Sequence, residues 1–152
     1  MTPASGRKAN TRNIIERSAV TPVPTDMSVF CDDRGKLTFG EVGASLPFVP
    51  VRFFFVYDVP AGVERGGHAH IACHQFMIAI SGTVTVTIDD GAARTELLLD
   101  RPNLGLHVRP GIWSEQRYHD PDSRLLVFAS EPYNASDYIH DYQEFLQLQG
   151  AR

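Results

Sequence analysis

The sequence has 152 residues and few of the features that tie a protein to a special environment. Its two cysteines, Cys31 and Cys73, are too few for a disulfide framework, and their spacing fits no zinc motif. No apolar run reaches the length of about 18 residues that a membrane span needs, and the N-terminal segment lacks a signal-peptide core. The net charge of −4 gives no reason to bind nucleic acid or an anionic membrane. These absences predict a cytoplasmic protein with neither partner.

The composition is that of one globular domain. Hydrophobic residues make up 43% of the chain and charged residues 21%, and this length is enough to bury one core. Residues 1–26 are predicted to form a flexible N-terminal arm, because the prolines in the segment 21–25 lack the N–H donors that a central strand needs. Residues 27–152 are predicted to form a single domain.

Beyond the arm, short runs of β-branched and aromatic residues alternate with turn sequences. The clearest run, 83–88, alternates with period two and is followed by Asp89-Asp90-Gly91, a strong hairpin signal. The other strands are predicted at 27–30, 36–42, 51–58, 75–80, 95–99, 104–108, 112–118 and 124–129. The dense apolar run 51–58 is predicted to be a buried strand. This spacing is typical of an all-β sandwich or barrel.

The C-terminal segment has a different pattern. From Ser136 onward, Ile139, Tyr142 and Leu146 fall on one stripe of a helix, which Gly150 can end. We therefore expect one amphipathic C-terminal helix that packs on the barrel or on a partner chain.

The segment Arg65-Gly66-Gly67-His68-Ala69-His70 holds the most chemistry. Side chains alternate between the faces of a strand, so His68 and His70 are predicted to share one face. Such a pair can bind a metal, transfer protons, or form hydrogen bonds inside the barrel.

The metal hypothesis has both support and gaps. The pair, with Gln75 and Gly82 after it, resembles the first motif of the cupin superfamily, a small double-stranded β-barrel. His74 would alternate onto the same face in a regular strand and could be a third ligand. Gln75 and Ser114, however, stand where metal-binding cupins have a glutamate and a further histidine, so a divalent ion would lack charge compensation.

Proton transfer suits the pair because histidine titrates near neutral pH. Two imidazoles can hold a base and an acid together, as an isomerisation next to a carbonyl requires. One would remove the α-proton, an enediol(ate) would form, and a proton would return to the neighbouring carbon.

Four motifs, in this order and spacing, resemble those of the nucleotide-sugar 3,4-ketoisomerases. These are WxcM-like cupins that act on dTDP-4-keto-6-deoxy-D-glucose, and the motifs lie at 65–70, 89–91, 111–115 and 129–139. The resemblance implies a jelly-roll barrel (the cupin double-stranded β-helix) with a C-terminal helix, and catalysis by His68 and His70 without metal or cofactor. It also implies a homodimer with exchanged N-terminal strands, working in deoxysugar or aminosugar biosynthesis.

The resemblance further implies that arginines hold the substrate diphosphate. Arg34 and Arg52 suit this role independently, because a guanidinium group matches phosphate oxygens in charge and geometry. The other candidate substrate contacts are Arg65, Ser114, Trp113 and Tyr57.

Two positions depart from the family pattern. Phenylalanines occupy 53–55, where the family has a tyrosine, and Ser114 replaces a larger histidine or arginine. Three other functions therefore stay open: a sugar-nucleotide epimerase, a cupin that binds a ligand without catalysis, and a metal-dependent oxygenase. Cys73 lies near the pair and is either a nucleophile or a small residue that fills space.

Overall fold

The computed structural model describes residues 22–150, and β-strands make up most of them. The strands are β1 (Pro24–Asp26), β2 (Val29–Asp32), β3 (Gly35–Thr38), β4 (Arg52–Val56), β5 (Glu64–His70), β6 (Gln75–Ser81), β7 (Val84–Asp89), β8 (Arg94–Leu99), β9 (Leu104–Val108), β10 (Trp113–Tyr118), β11 (Arg124–Ala129) and β12 (Tyr138–Ile139). A 3-10 turn spans Ala135–Asp137, and helix α1 spans Tyr142–Gly150. Within residues 22–150, no helix is long and apolar enough to cross a membrane.

Ten of the strands form two five-stranded sheets. The first sheet has the order β1-β9-β6-β11-β4 and the second has the order β12-β5-β10-β7-β8, while β2 and β3 form a separate hairpin. The strand pairs are antiparallel throughout. This arrangement is a jelly roll followed by a helix, and it confirms the predicted all-β fold.

The core lies between the two sheets. Val84 and Val86 of β7 are fully buried there against residues of β6, β9 and β11 such as Met77, Leu106 and Val127. Burying each such side chain contributes roughly 1.5–3 kcal/mol, and this sum holds the sheets face to face.

The N-terminal boundary differs from the prediction. Pro24–Asp26 pairs with Leu104–Leu106 of β9 at the edge of the first sheet, so the arm does not extend to residue 26. A proline is tolerated at an edge because one side of the strand needs no donor. The rest of the predicted arm, residues 1–21, lies outside the described residues.

The segment 51–58 was predicted to be a buried strand, but one face of strand β4 is exposed. Phe53 is 62% exposed and Phe55 is 48% exposed, whereas Arg52, Phe54 and Val56 are partly buried on the opposite face. The reason is position: within residues 22–150, β4 pairs only with β11 and forms an edge of the first sheet.

The strand predicted at 36–42 is shorter in the structure and belongs to a hairpin. A two-residue turn at Asp33–Arg34 joins β2 to β3, and β3 ends at Thr38 rather than at residue 42. The chain then folds back, and Leu46 and Phe48 cover Phe76 on the outer face of the first sheet.

The C-terminal helix starts later than predicted. Asn134 caps the 3-10 turn by accepting a hydrogen bond from the Ser136 backbone N–H, and Tyr138–Ile139 then pairs with Ala69–His70 of β5. Ile139 is therefore in a strand, because the edge of β5 offers backbone partners that a helix could not use. The helix begins at Tyr142, with Asp141 capping the backbone N–H of Glu144.

Candidate active site

The two histidines lie at the end of β5, between β12 and β10. Gly66 and Gly67 before them have φ angles of 86° and 73°, and a Cβ on Gly66 would lie 2.6 Å from the Gln116 Oε1. This close approach requires glycine at position 66. As predicted, His68 and His70 share a face, with ring centroids 5.1 Å apart, and Ala69 packs on the opposite side.

His70 is held by a carboxylate that the sequence analysis missed. Its Nδ1 lies 2.9 Å from Oδ2 of Asp137, which also accepts backbone hydrogen bonds from Ala72 (2.7 Å) and Cys73 (3.3 Å). The other ring nitrogen, Nε2, is buried and has no hydrogen-bond partner within residues 22–150. Burial lowers the pKa of His70, and the bond to Asp137 opposes that shift without cancelling it. The ring is therefore neutral near pH 7, and Nε2 is available as a base.

His68 is less able to carry a proton. Burial, and next the charge of His70, lower the pKa of His68 to about 4, while a hydrogen bond to the Gly66 backbone acts in the opposite direction. The site thus presents two neutral imidazoles near pH 7.

A cavity of about 110 Å³, which we call the lumen, lies between the sheets beside His68. Its polar lining residues are Arg65, Gly66, His68, Gln75 and Gln116, and its apolar ones are Phe54, Val56, Met77, Leu125 and Val127. Ser114 lies directly across from His68 in β10, and its Oγ accepts a hydrogen bond of 3.1 Å from Gln116. Arg65 and Ser114, both predicted site residues, are therefore beside the pair.

Aromatic side chains and one arginine surround the pair. Tyr138 has its ring centroid 4.4 Å from His70 and 5.0 Å from His68, and it stacks on His140. The Arg52 guanidinium lies 5.8 Å from the Tyr133 ring, which in turn packs against Tyr138. We call this group, with its exposed members Tyr133 and His140, the rim.

The structure does not bring three other predicted contacts to the lumen of the same chain. Trp113 does not line the lumen: it packs on Tyr142 and Phe145 and donates to Glu115, and its substrate contact stays a prediction. Tyr57 follows β4 and is exposed outside the lumen, so its contact stays a prediction as well. Arg34 lies at the tip of the hairpin, where its side chain is 86% exposed and pairs with Asp32.

The predicted third metal ligand, His74, is also elsewhere. Strand β5 ends at His70, and His74 instead places Nδ1 2.9 Å from Nε2 of His107, with the two rings stacked. His70, Cys73 and Asp137 do bring possible ligand atoms within 4.8 Å of one another. Asp137 already accepts three hydrogen bonds, and the buried Cys73 thiol donates to the His74 carbonyl, so the set is built as a hydrogen-bonded cluster.

Sequence reasoning missed Asp137, Tyr138 and His140 as site residues. Asp137 and His70 are 67 positions apart, and no local pattern links them. The only signal was the motif 129–139, which carried the family resemblance without assigning a role to its residues.

Comparison with known proteins identifies the family. The model of the FdtA family, described as WxcM-like, C-terminal, matches residues 23–150. This chain belongs to the WxcM-like family. A relative from Aneurinibacillus thermoaerophilus, TDP-4-oxo-6-deoxy-alpha-D-glucose-3,4-oxoisomerase, is 35% identical over 114 residues, which is 75% of this chain and 82% of the relative.

Solved structures resemble this WxcM-like protein over nearly its whole length. A 3,4-ketoisomerase from Helicobacter canadensis has a TM-score of 0.83 and 32% identity, covering 87% of this chain and 99% of its own. QdtA, a 3,4-ketoisomerase from Thermoanaerobacterium thermosaccharolyticum, was solved as a histidine-to-asparagine mutant with TDP-4-keto-6-deoxyglucose. That structure has a TM-score of 0.84 and 27% identity, covering 89% of this chain and 98% of its own.

Proposed function

We propose that this WxcM-like protein is a sugar-nucleotide 3,4-ketoisomerase that moves the keto group of a TDP-4-keto-6-deoxyhexose from C4 to C3. The observation that carries the proposal is the pair of neutral imidazoles on one face of β5, of which His68 lines the lumen. The named activities of the relative from A. thermoaerophilus and of the two solved ketoisomerases support it.

The pair can perform the reaction by proton transfer alone. One imidazole takes the proton from C3. The electron pair of the broken C–H bond forms the C3=C4 double bond of an enediol(ate), while the C4=O π pair moves onto O4, which takes up a proton. O3 then gives up its hydroxyl proton and C3 becomes the carbonyl carbon, as the electron pair of the C3=C4 double bond takes up a proton at C4. C3 is oxidised as C4 is reduced, so the net reaction needs no external oxidant or reductant. General acid–base help of this kind is worth about 10²–10⁴ in rate.

The lumen suits the sugar of such a substrate. Gln75 and Gln116 offer hydrogen-bonding groups to ring hydroxyls, and Ser114 orients Gln116 by accepting its hydrogen bond, while Phe54 and Met77 form an apolar side that can receive the C5 methyl group. Arg52 would bind the diphosphate outside the lumen, and its position at the rim, 5.8 Å from the Tyr133 ring, supports this role. Rim tyrosines offer a surface on which the base can stack.

The test is incubation of the purified protein with TDP-4-keto-6-deoxyglucose in deuterated water, followed by NMR. We expect a 3-keto product, with rates lowered at least 100-fold in His68→Asn and His70→Asn variants, since each loses one proton-transfer group. His119→Asn is the matched control, because His119 is exposed and its ring contacts the Thr85 hydroxyl, away from the site. If the product is an epimerised 4-keto sugar, the protein is an epimerase and the proposal is wrong. If the sugar nucleotide binds but is recovered unchanged, the protein is a cupin that binds its ligand without catalysis.

We also propose that the protein works as a homodimer in which the hairpins are exchanged. Phe30 and Leu37 of the hairpin are each 59% exposed, and the outer face of edge strand β4 exposes Phe53 and Phe55. Apolar surface of this extent on two edges favours a second copy as its cover. In an exchanged dimer the hairpin would carry Arg34 toward the partner's site, which gives Arg34 its predicted role at the diphosphate.

The biological setting is part of the same proposal. A 3-keto sugar nucleotide is the form that an aminating or reducing enzyme would use next, which supports a role in deoxysugar or aminosugar biosynthesis. The cytoplasmic location stays a prediction from the sequence.

A further inference from the structure

The two histidines of the site differ in what lies behind them. His70 has the carboxylate of Asp137 on its Nδ1, and His68 has the backbone of Gly66 beside its ring. A ring nitrogen that donates to a carboxylate is fixed as N–H, so the other nitrogen must present its lone pair. For His70 that other nitrogen is Nε2, which is buried and unpartnered within residues 22–150.

Asp137 is built to hold this orientation. Its Oδ1 accepts the Ala72 N–H at 2.7 Å, and its Oδ2 accepts the Cys73 N–H at 3.3 Å together with the His70 ring. Its backbone is fixed too, because its N–H donates to the Asn134 carbonyl and its carbonyl accepts from Ile71. Burial acts to raise the pKa of Asp137, but the hydrogen bonds from His70, Ala72 and Cys73 outweigh it, so the pKa lies below its usual value. The side chain is therefore an ionised carboxylate that two backbone N–H groups hold in place against the His70 ring.

We propose that Asp137 is a positioning residue for the isomerisation: it fixes His70 in the Nδ1–H tautomer, leaves the lone pair on Nε2 to accept a proton, and stabilises the imidazolium that then forms. His68 has no such carboxylate, so His70 is the member of the pair that holds a proton while the enediol(ate) exists. This inference rests on the proposed isomerase function, and it adds a residue to the site that acts through His70 without touching the sugar.

The decisive variant is Asp137→Asn, which changes one oxygen to an amide nitrogen. If the remaining oxygen keeps the Ala72 N–H, the new NH₂ group faces the His70 Nδ1, and the ring must switch to the Nε2–H tautomer to accept from it. The lone pair would then be on Nδ1, bonded to the new amide, and Nε2 could no longer accept a proton. We expect kcat to fall by about 10²-fold with little change in KM, since general acid–base help is lost while the substrate contacts remain.

The matched control is Asp141→Asn on the same segment. Asp141 caps helix α1, and asparagine caps helices as well as aspartate does, so activity and folding should be unchanged. Equal loss in both variants would assign the effect to the segment as a whole and overturn the proposal.

A measurement on the unmodified protein keeps the test independent of the folding of any variant. ¹⁵N NMR of the imidazole rings, assigned with His70→Asn, reports which nitrogen carries the proton. We expect His70 to be protonated at Nδ1 and unprotonated at Nε2 near pH 7, and to lose that preference in Asp137→Asn. The opposite tautomer in the wild type, or unchanged kcat in a folded Asp137→Asn protein, overturns the proposal. Absence of isomerase activity in the wild type would overturn the proposed function instead, and the tautomer could still be measured.

Discussion

His68 and His70 are the same residue type two positions apart, but the fold gives them unequal surroundings. His68 is partly buried between His70 and Tyr138, with no carboxylate within hydrogen-bonding distance among the described residues. His70 is buried more deeply and is tied to Asp137. The division of labour between two identical side chains is thus set by what contacts the far side of each ring.

The lowered pKa values of His68 and His70 predict that activity persists to a lower pH than ordinary histidines would allow. Both rings must be neutral to act, and burial lowers the pKa of each below the ordinary value of 6.5, to about 4 for His68. As the pH falls, protonation of either ring removes a base, so kcat/KM should stay level through pH 6.5 and decline only below it. The measurement is kcat/KM between pH 4.5 and 8, with circular dichroism to exclude unfolding. An acid limb centred at 6.5 or higher would contradict the burial argument.

Two adjacent glycines provide a test of the close approach at the start of the site. In Gly66→Ala the new Cβ would meet the Gln116 Oε1 at 2.6 Å and the Ser114 carbonyl at 2.9 Å, whereas at Gly67 nothing lies within 4 Å. Both variants bear the left-handed backbone cost of about 1–2 kcal/mol, and only Gly66→Ala adds a clash. We expect a lower urea midpoint and weaker activity for Gly66→Ala than for Gly67→Ala. Equal stabilities of the two variants would show that the Gln116 side chain moves aside at no measurable cost, and would contradict the argument from close approach.

At the scale of elements, the C-terminal segment supports the site from outside. Phe145 of α1 is fully buried and packs with Trp113 and Ile139, while Tyr142 donates a hydrogen bond of 2.7 Å to Asp89. These contacts hold β12 against β5, and the 3-10 turn that contains Asp137 comes directly before β12. Trp113, although it does not reach the lumen, is thus the platform on which the helix rests.

Removing the ring of Phe145 should therefore loosen both the helix and the segment before it. Phe145→Ala is expected to cost about 3–5 kcal/mol of unfolding free energy, as is usual for a buried phenylalanine. Leu148→Ala on the same helix, at a site that is 38% exposed, should stay within about 0.5 kcal/mol. Urea denaturation followed by tryptophan fluorescence measures both, because Trp113 is the sole tryptophan. A small effect in Phe145→Ala would contradict the role of α1 as a support.

Most elements could be predicted from the sequence because their signals are local. The alternation at 83–88 gave β7 to within one residue, and the turns at 32–35 and 89–91 have the residue types that tight turns demand. The elements that were predicted wrongly depend on contacts between segments far apart in the sequence. Ile139 fits a helical stripe, and only the open edge of β5 makes it a strand residue; Phe53 and Phe55 look buried until β4 is known to be an edge.

The candidate site divides in the same way. The shared face of His68 and His70 follows from strand alternation, so it was predictable. The inward direction of Ser114 and the outward direction of Trp113 depend on which face of β10 meets the other sheet, and residue types alone do not determine this. Asp137 depends on contact between segments far apart in the chain.

At the scale of the whole molecule, the proposed exchange makes each site depend on two chains. A dimer of one Arg34→Ala subunit and one His70→Asn subunit, isolated with two different tags, separates the possibilities. If Arg34 acts in the partner's site, one site of the mixed dimer carries both changes and the other carries none, so about half of the wild-type activity should remain. If Arg34 acts in its own site, both sites are damaged and activity should match the homodimeric variants. Sedimentation of the wild type as a monomer would contradict the dimer itself.

The volume of the lumen has a consequence for substrate range. At about 110 Å³ it is well below the 300–1,000 Å³ of common ligand pockets, so it has no room for the nucleoside of the proposed substrate. In the proposed complex, the sugar and the nucleotide therefore bind to separate surfaces of the protein. Exchanging thymine for uracil in the substrate should therefore change KM and leave kcat nearly the same. The same lumen would then accept sugars attached to different nucleotides.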